Sequence, residues 1–221
     1  MQVDLISSTQ SFIEGIEVPE DIISYIARVS NPSNQLNTET APRLLKYLIK
    51  HKHWSPFEQV NLTFQIVTSR AIAAQILRHR SFCFQEFSQR YSPVNGFESF
   101  ELRKQAEKNR QSSENLFEMS EKDLGLIKDH LVQGAKIYDE LVEKGVAKEC
   151  ARMLLPLCTQ TTLYMTGNLR SWLSYLNVRL EENTQLEHRQ IALEISKTIA
   201  KMFPNTTEAL DNFNDFKGNF M

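Results

Sequence analysis

Between Glu58 and Thr68 the chain alternates with a period of two, with Val60, Leu62, Phe64 and Ile66 on one side and Gln59, Asn61, Thr63 and Gln65 on the other. This is the pattern of a strand with one buried face, which needs neighbouring strands and a covering layer to be stable. A second stretch, Leu157 to Thr166, is rich in threonine with apolar residues at odd positions, and reads as another half-buried strand. Each runs into a helix. Ser69 stands as the N-cap of one, whose Ile72, Ala73, Ile76 and Leu77 face inward. Gly167-Asn168 turns into the other, which carries Trp172, Leu173 and Leu176. The two strand-to-helix units, 58–80 and 157–179, each finish at an arginine. The economical fold class is α+β: a single domain over residues 1–221 with a central sheet flanked by helices.

The remaining segments fit that frame. Residues 1–8 read as a short strand, and Pro19 opens a helix carrying Ile22, Ile23, Ile26 and Ala27 that stops near Asn31-Pro32. A helix follows Thr40 with Leu44, Leu45, Leu48 and Ile49, and Pro56 makes the next segment, HKHWSPFE, a loop. Residues 96–122 are polar and without apolar period, as in a surface excursion. Residues 123–144 form a helix with Leu124, Ile127, Leu131, Tyr138 and Leu141 inward, closed by Gly145. A short helix then runs to Pro156 with Glu149 and Arg152 on one face. Thr184 and Glu187 read as a capping box for a last helix with the stripe Ala192, Ile195, Ile199 and Met202. The polar tail after Pro204 is expected to be loosely held.

Composition removes several function classes. A net charge of −2 gives no global field for a nucleic acid, so no nucleic-acid partner is expected. No apolar run approaches a membrane span, and MQVDLISSTQ has neither a basic nor a long apolar leader region, so the expected compartment is the cytosol. Cys83, Cys150 and Cys158 lack metal or disulfide spacing and are expected to be reduced and mostly buried, so no metal site is expected.

The densest chemical signal is QILRHRSFCFQEFSQRYS, residues 75–92. Taken alone, the basic triplet Arg78-His79-Arg80 at a helix end answers the helix dipole, and Phe82 and Phe84 are core. Beside it, however, an extended segment would put Glu86, Ser88 and Arg90 along one edge. Guanidinium groups grip phosphate bidentately, a carboxylate orients one of them, and a serine hydroxyl adds a donor, which makes this a nucleotide phosphate pocket. No glycine-rich phosphate loop exists to do the work instead.

Arg78-His79-Arg80, seven intervening residues and then Ser88 resemble the signature of the flavin-dependent thymidylate synthase family. Further matches run in the family's order: His53 with Ser55-Pro56-Phe57-Glu58, Gln75, Glu86, Arg90-Tyr91, Glu149 with Arg152, and Leu154-Leu155-Pro156-Leu157. Asn168, Arg170-Ser171, Leu176-Asn177, Arg179, Gln185 and Glu187 complete the set, so the resemblance spans most of the chain. The chain departs from it at Gln59, Cys83, Gln85, Ser174 and Asn183, where the family commonly has histidine, serine, asparagine, asparagine and histidine.

The resemblance implies methylation of dUMP to dTMP by a homotetramer with shared active sites. It implies FAD held by His53, Ser55, Arg78, His79, Arg80, Glu86, Asn168, Arg170 and Ser174. It implies dUMP held by Gln75, Arg78, Glu86, Ser88, Gln89, Arg90, by Arg152 of a neighbouring subunit, and by Arg179 at the pyrimidine. NADPH and 5,10-methylenetetrahydrofolate enter as co-substrates, the one-carbon unit passing by way of the flavin site and reduced flavin supplying the hydride. Arg179 is then the catalytic group, because a guanidinium beside N3 and O2 stabilises negative charge on the ring and makes carbon 5 nucleophilic. Ser88 has no dedicated base and serves as a ligand contact. Cys83, between two phenylalanines, reads as a buried bystander. Two alternatives stand beside this reading: an RNA-binding module gripping backbone and bases with the triplet and nearby aromatics, and a flavoprotein that has lost synthase activity through Ser174 and Asn183.

Overall fold

The structure is a computed structural model that describes residues 1–94 and 96–211. It is α+β. Strand β1 (Gln2–Ser8) is followed by helices α1 (Pro19–Ala27) and α2 (Ala41–Lys50), then β2 (Asn61–Ser69), α3 (Arg70–Ile76) and β3 (Cys83–Glu86). A small pair, β4 (Arg103–Gln105) and β5 (Ser113–Leu116), precedes α4 (Glu121–Glu143) and α5 (Lys148–Ala151). Strand β6 (Gln160–Asn168) leads into α6 (Leu169–Arg179), α7 (Leu186–Met202) and α8 (Pro204–Asp211). The central sheet has the order β1-β2-β6-β3. Thr63 bonds Thr166 and Gln65 bonds Tyr164 through their side chains, so residue numbers on β6 fall as those on β2 rise, which makes the pair antiparallel.

The contacts divide the chain into two compact units. One comprises Met1–Gln2, Ile66–Arg78 and Gln85–Leu163; its core includes Ile66, Ile72, Ile76, Tyr138 and Leu163. The other comprises Val3–Gln65, His79–Phe84 and the chain from Tyr164 onward. There Leu62 and Phe64 are buried on one face of β2, as are Trp172 and Leu176 on α6, and Phe64 meets Trp172 edge-on at 4.9 Å. Helices α6 and α7 pack together, and α8 packs on α2 and α7. The periodicity of two and the helical stripes thus meet in one apolar layer, which is what the alternation required.

Both strand-to-helix junctions have the same construction. Ser69 and Asn168 hold nearly equal backbone angles, φ −75°, ψ 157° and φ −76°, ψ 162°. In one unit the Arg70 N–H donates to the Thr159 carbonyl at 2.9 Å; in the other the Leu169 N–H donates to Val60 at 2.8 Å. The first free N–H of each helix is thereby satisfied by the residue preceding the partner strand.

Several expectations are corrected. The segment after His53 is a 3-10 turn, Ser55–Gln59, with Pro56 in its first turn where no N–H is needed, so β2 starts only at Asn61. Ser69 occupies the N-cap position without a side-chain cap; its own N–H is taken by the buried Glu98 carboxylate at 2.6 Å. Glu98 and the β4–β5 pair give the 96–122 excursion internal structure. Leu77 and Leu124 are exposed rather than inward, and Leu157 is 72% exposed because β6 begins three residues later. The Thr184–Glu187 capping box does not form: Thr184 donates its hydroxyl to Val178, and α7 starts from Gln185. The tail is helical to Asp211, since Glu20 on α1 caps α8 by accepting from the Thr206 N–H at 2.7 Å and from the Asn205 N–H. Residues 212–221, also in that tail, lie outside the described residues. The three thiols are free, as expected, but Cys83 and Cys150 are exposed and Cys158 is half-buried.

Candidate functional site

In the first unit the candidate residues cluster around two carboxylates. Strand β3 ends at Glu86, whose Oε1 pairs with Arg70 at the start of α3 and accepts the Thr161 hydroxyl at 2.9 Å. Both partners escaped the sequence reading, because no local spacing joins an arginine at a helix start to a strand sixteen residues on or to β6. Thr161 also lines a shallow pocket with Val67, Phe87, Gln160 and Thr162. After Glu86 the chain does not continue extended: the Tyr91 and Ser92 N–H groups both donate to Ser88, forming a turn. Glu86, Ser88 and Arg90 therefore do not share a strand edge, and the turn rather than the pleat presents Ser88 and Arg90. Arg90 donates through Nε and Nη2 to Glu149 Oε2, each at 2.9 Å. Lys148 donates to the Tyr91 carbonyl at 2.9 Å, fastening the turn to α5.

Two observations fit a bound anionic nucleotide. Gln89 is 6% exposed and its Nε2 is buried without a hydrogen-bond partner. A buried amide donor left unmade costs about 1–3 kcal/mol, a debt that an acceptor on a ligand removes. In addition, among the described residues the side chains of Arg78, Ser88 and Arg152 have no hydrogen-bond or ion-pair partner, whereas Arg70 and Arg90 are neutralised. Gln75 lies half-buried on α3, and Arg78 follows just past its end.

The second unit holds the candidate catalytic group. Arg179 is the last residue of α6, and its Nε donates to His79 Nε2 at 2.9 Å. A guanidinium has no lone pair to offer, so His79 presents an unprotonated Nε2 and is neutral. Burial, joined by the Arg179 charge, lowers His79 to about 4. The ring of Tyr175 meets His79 edge-on at 4.9 Å, and the Tyr175 hydroxyl lies 3.1 Å from His188 Nε2. Burial first, then Arg179 and His79, lower His188 to about 3. Neither Tyr175 nor His188 was a candidate. The signal was present: His188 prolongs the Ala192, Ile195, Ile199 stripe by one turn, which places an imidazole at a core position.

The flavin candidates in this unit are only partly uncommitted. Asn168 spends its side-chain oxygen as the α6 cap, accepting from the Ser171 N–H at 2.9 Å, and keeps its amide donors for a ligand. Arg170 pairs with Glu58. Arg80 is exposed and has no partner among the described residues, as a pyrophosphate contact requires. Ser55 and Ser174 are exposed, and His53 stands in an exposed ring cluster with Tyr47 and His51, its centroid 6.0 Å from each. The donors and cations present therefore suit FAD. Cys83, expected to be buried, instead faces out from β3 while Phe82 takes the core position against Trp172 at 4.6 Å. Gly167 makes that possible: a Cβ there would lie 2.5 Å from the Phe82 ring.

The family model described as thymidylate synthase complementing protein matches residues 11–205. The chain is 46% identical over 214 residues to a probable flavin-dependent thymidylate synthase of Paramecium bursaria Chlorella virus 1, covering 96% of this chain and 99% of that protein. It is 48% identical over 195 residues to the flavin-dependent thymidylate synthase of Synechocystis sp., covering 87% and 90%. Among solved structures, a UMP/dUMP methylase from Streptomyces cacaoi bound with 5-Br dUMP superposes with a TM-score of 0.83 at 24% identity, covering 99% of this chain and 97% of that one, and shares the fold.

Proposed function

The chain belongs to the flavin-dependent thymidylate synthase family, and on that premise we propose that it methylates dUMP to dTMP, with 5,10-methylenetetrahydrofolate as carbon donor, FAD as bound redox cofactor and NADPH as reductant. The observation that carries the reading is that the family match takes in every candidate residue from His53 to Arg179. We take all 221 residues as one synthase domain. Three free thiols and no helix, among the described residues, long and apolar enough to cross a membrane support a cytosolic enzyme.

Phosphate of dUMP is gripped by Arg78, Ser88 and Arg90, with Gln75 and the Gln89 amide completing the donors and Arg152 arriving from a neighbouring subunit. Glu86, held by Arg70 and Thr161, positions both ligands. His53, Ser55, Arg78, His79, Arg80, Glu86, Asn168, Arg170 and Ser174 hold FAD, which supplies hydride chemistry that no side chain provides. Arg179 faces the pyrimidine and stabilises negative charge on N3 and O2, so that carbon 5 attacks without a protein nucleophile. Neutral His79 takes one N–H of Arg179 and adds no charge of its own beside the guanidinium.

A homotetramer with shared sites accounts for the exposed apolar residues of the first unit, among them Leu126, Val132, Met153 and Leu154, which neighbouring subunits would cover around Arg152. The reading is tested by the visible spectrum of the FAD-reconstituted protein before and after addition of dUMP. Flavin bands that shift with dUMP place both ligands in one pocket; a protein that retains no flavin overturns the reading.

A further inference from the structure

Behind the Arg179–His79 contact lie two polar side chains to which no ligand role falls. Tyr175, one turn before Arg179 on α6, is 2% exposed, and His188, in the first turn of α7, is fully buried. Their polar atoms meet at 3.1 Å. Both rings stand against His79: Tyr175 edge-on at 4.9 Å and 74°, His188 perpendicular at 6.2 Å. Phe82 closes a further side at 6.5 Å.

Burying an imidazole and a phenol costs free energy even when they bond each other, and a leucine with a phenylalanine would fill such space without that cost. The pair therefore provides something that apolar packing does not. What His79 has to provide is a direction. Its Nε2 lone pair must point at Arg179 Nε, and the ring rotation that aims it is fixed by the flanking rings. The hydroxyl–imidazole bond in turn fixes the rotation of the His188 ring and anchors the far end of the Tyr175 ring, which apolar contacts would leave free to readjust.

We propose that the buried Tyr175–His188 pair is a positioning device that pins the His79 ring with Nε2 aimed at Arg179, and so holds the Arg179 guanidinium at the uracil. This rests on the reading of Arg179 as the group at the pyrimidine. Neither member touches substrate; both act through His79.

The test compares Tyr175→Phe, His188→Gln and the double variant Tyr175→Phe/His188→Leu in the full-length, FAD-loaded enzyme. The readouts are kcat, KM for dUMP, thermal stability, and the imidazole nitrogen NMR signals of His79. Tyr175→Phe is expected to lower kcat about tenfold, as a small misplacement of a catalytic group does, with flavin loading and KM unchanged. The His79 signals should change from a single Nδ1–H form to a tautomer mixture. His188→Gln keeps a partner for the Tyr175 hydroxyl and should recover most of kcat. The double variant repairs packing and stability but should keep the low kcat. A double variant with wild-type kcat and unchanged His79 signals makes the pair a packing feature only and overturns the proposal. Should the wild type itself form no dTMP, the proposed function fails, and the NMR comparison still decides the pinning of His79 by itself.

Discussion

Arg179 Nε donates to His79 Nε2 across 2.9 Å, which makes a neutral histidine the direct support of the arginine we propose at the pyrimidine. A protonated His79 would offer a second donor and a like charge at that distance, so the contact exists only while the ring is deprotonated.

That requirement sets a pH dependence. His79 and His188 are lowered to about 4 and about 3 by burial and the Arg179 cation, whereas in the unfolded chain each titrates near 6.5. Between those values the unfolded chain binds more protons, so stability is full above about pH 6.5 and falls as pH drops towards 4 and below, by a few kcal/mol in all. Urea midpoints from pH 8 to 4 should show the decline, and His188→Leu should make it shallower. An equal slope in that variant would remove His188 from the account.

Arg90→Ala separates a binding role from a structural one. Its ion pair with Glu149 is exposed, with side chains 66% and 51% accessible, and such pairs contribute roughly 0–1 kcal/mol. The melting temperature should hardly move, while KM for dUMP rises about tenfold or more through loss of a charged phosphate donor. An unchanged KM would take Arg90 out of the dUMP site.

Gly167→Ala tests the packing beneath the site. The new Cβ would fall 2.5 and 2.6 Å from Phe82 ring carbons, and that ring is itself held against Trp172. Overpacking of this kind costs about 1–3 kcal/mol. Denaturant unfolding should show that loss; a neutral variant would mean that Phe82 has room to withdraw.

Glu20→Ala should destabilise α8. The carboxylate is 3% exposed and accepts two backbone N–H groups and the Asn205 amide. Loss of a cap costs about 1–2 kcal/mol. Amide hydrogen exchange at residues 205–210 should quicken more than at α6, and uniform exchange across the chain would argue against a cap confined to α8.

The sequence carried the α+β class because alternation in 58–68 and helical stripes such as Ile195–Ile199 are local periodicities. It carried the candidate residues because a long ordered signature, Arg78 to Ser88, lies within one segment. What it did not carry depends on distant partners. The Ser69 N–H goes to Glu98, Glu20 turns a polar tail into a capped helix, and Arg70 finds Glu86 only when β3 joins the sheet. The turn at Ser88 was likewise invisible, since an alternating Phe82-to-Arg90 pattern suits a strand until its backbone hydrogen bonds are known. Cys83 went wrong for a related reason: one residue's shift in register decides which side of β3 faces out.

The most direct test of the central claim is dTMP formation from dUMP by the purified protein with FAD, NADPH and 5,10-methylenetetrahydrofolate, run beside Arg179→Ala. Formation of dTMP should require FAD, and kcat should fall about 10²–10³ in the variant while it still folds and holds flavin. A flavin-loaded wild type that forms no dTMP, or an Arg179→Ala enzyme with near wild-type turnover, would contradict it.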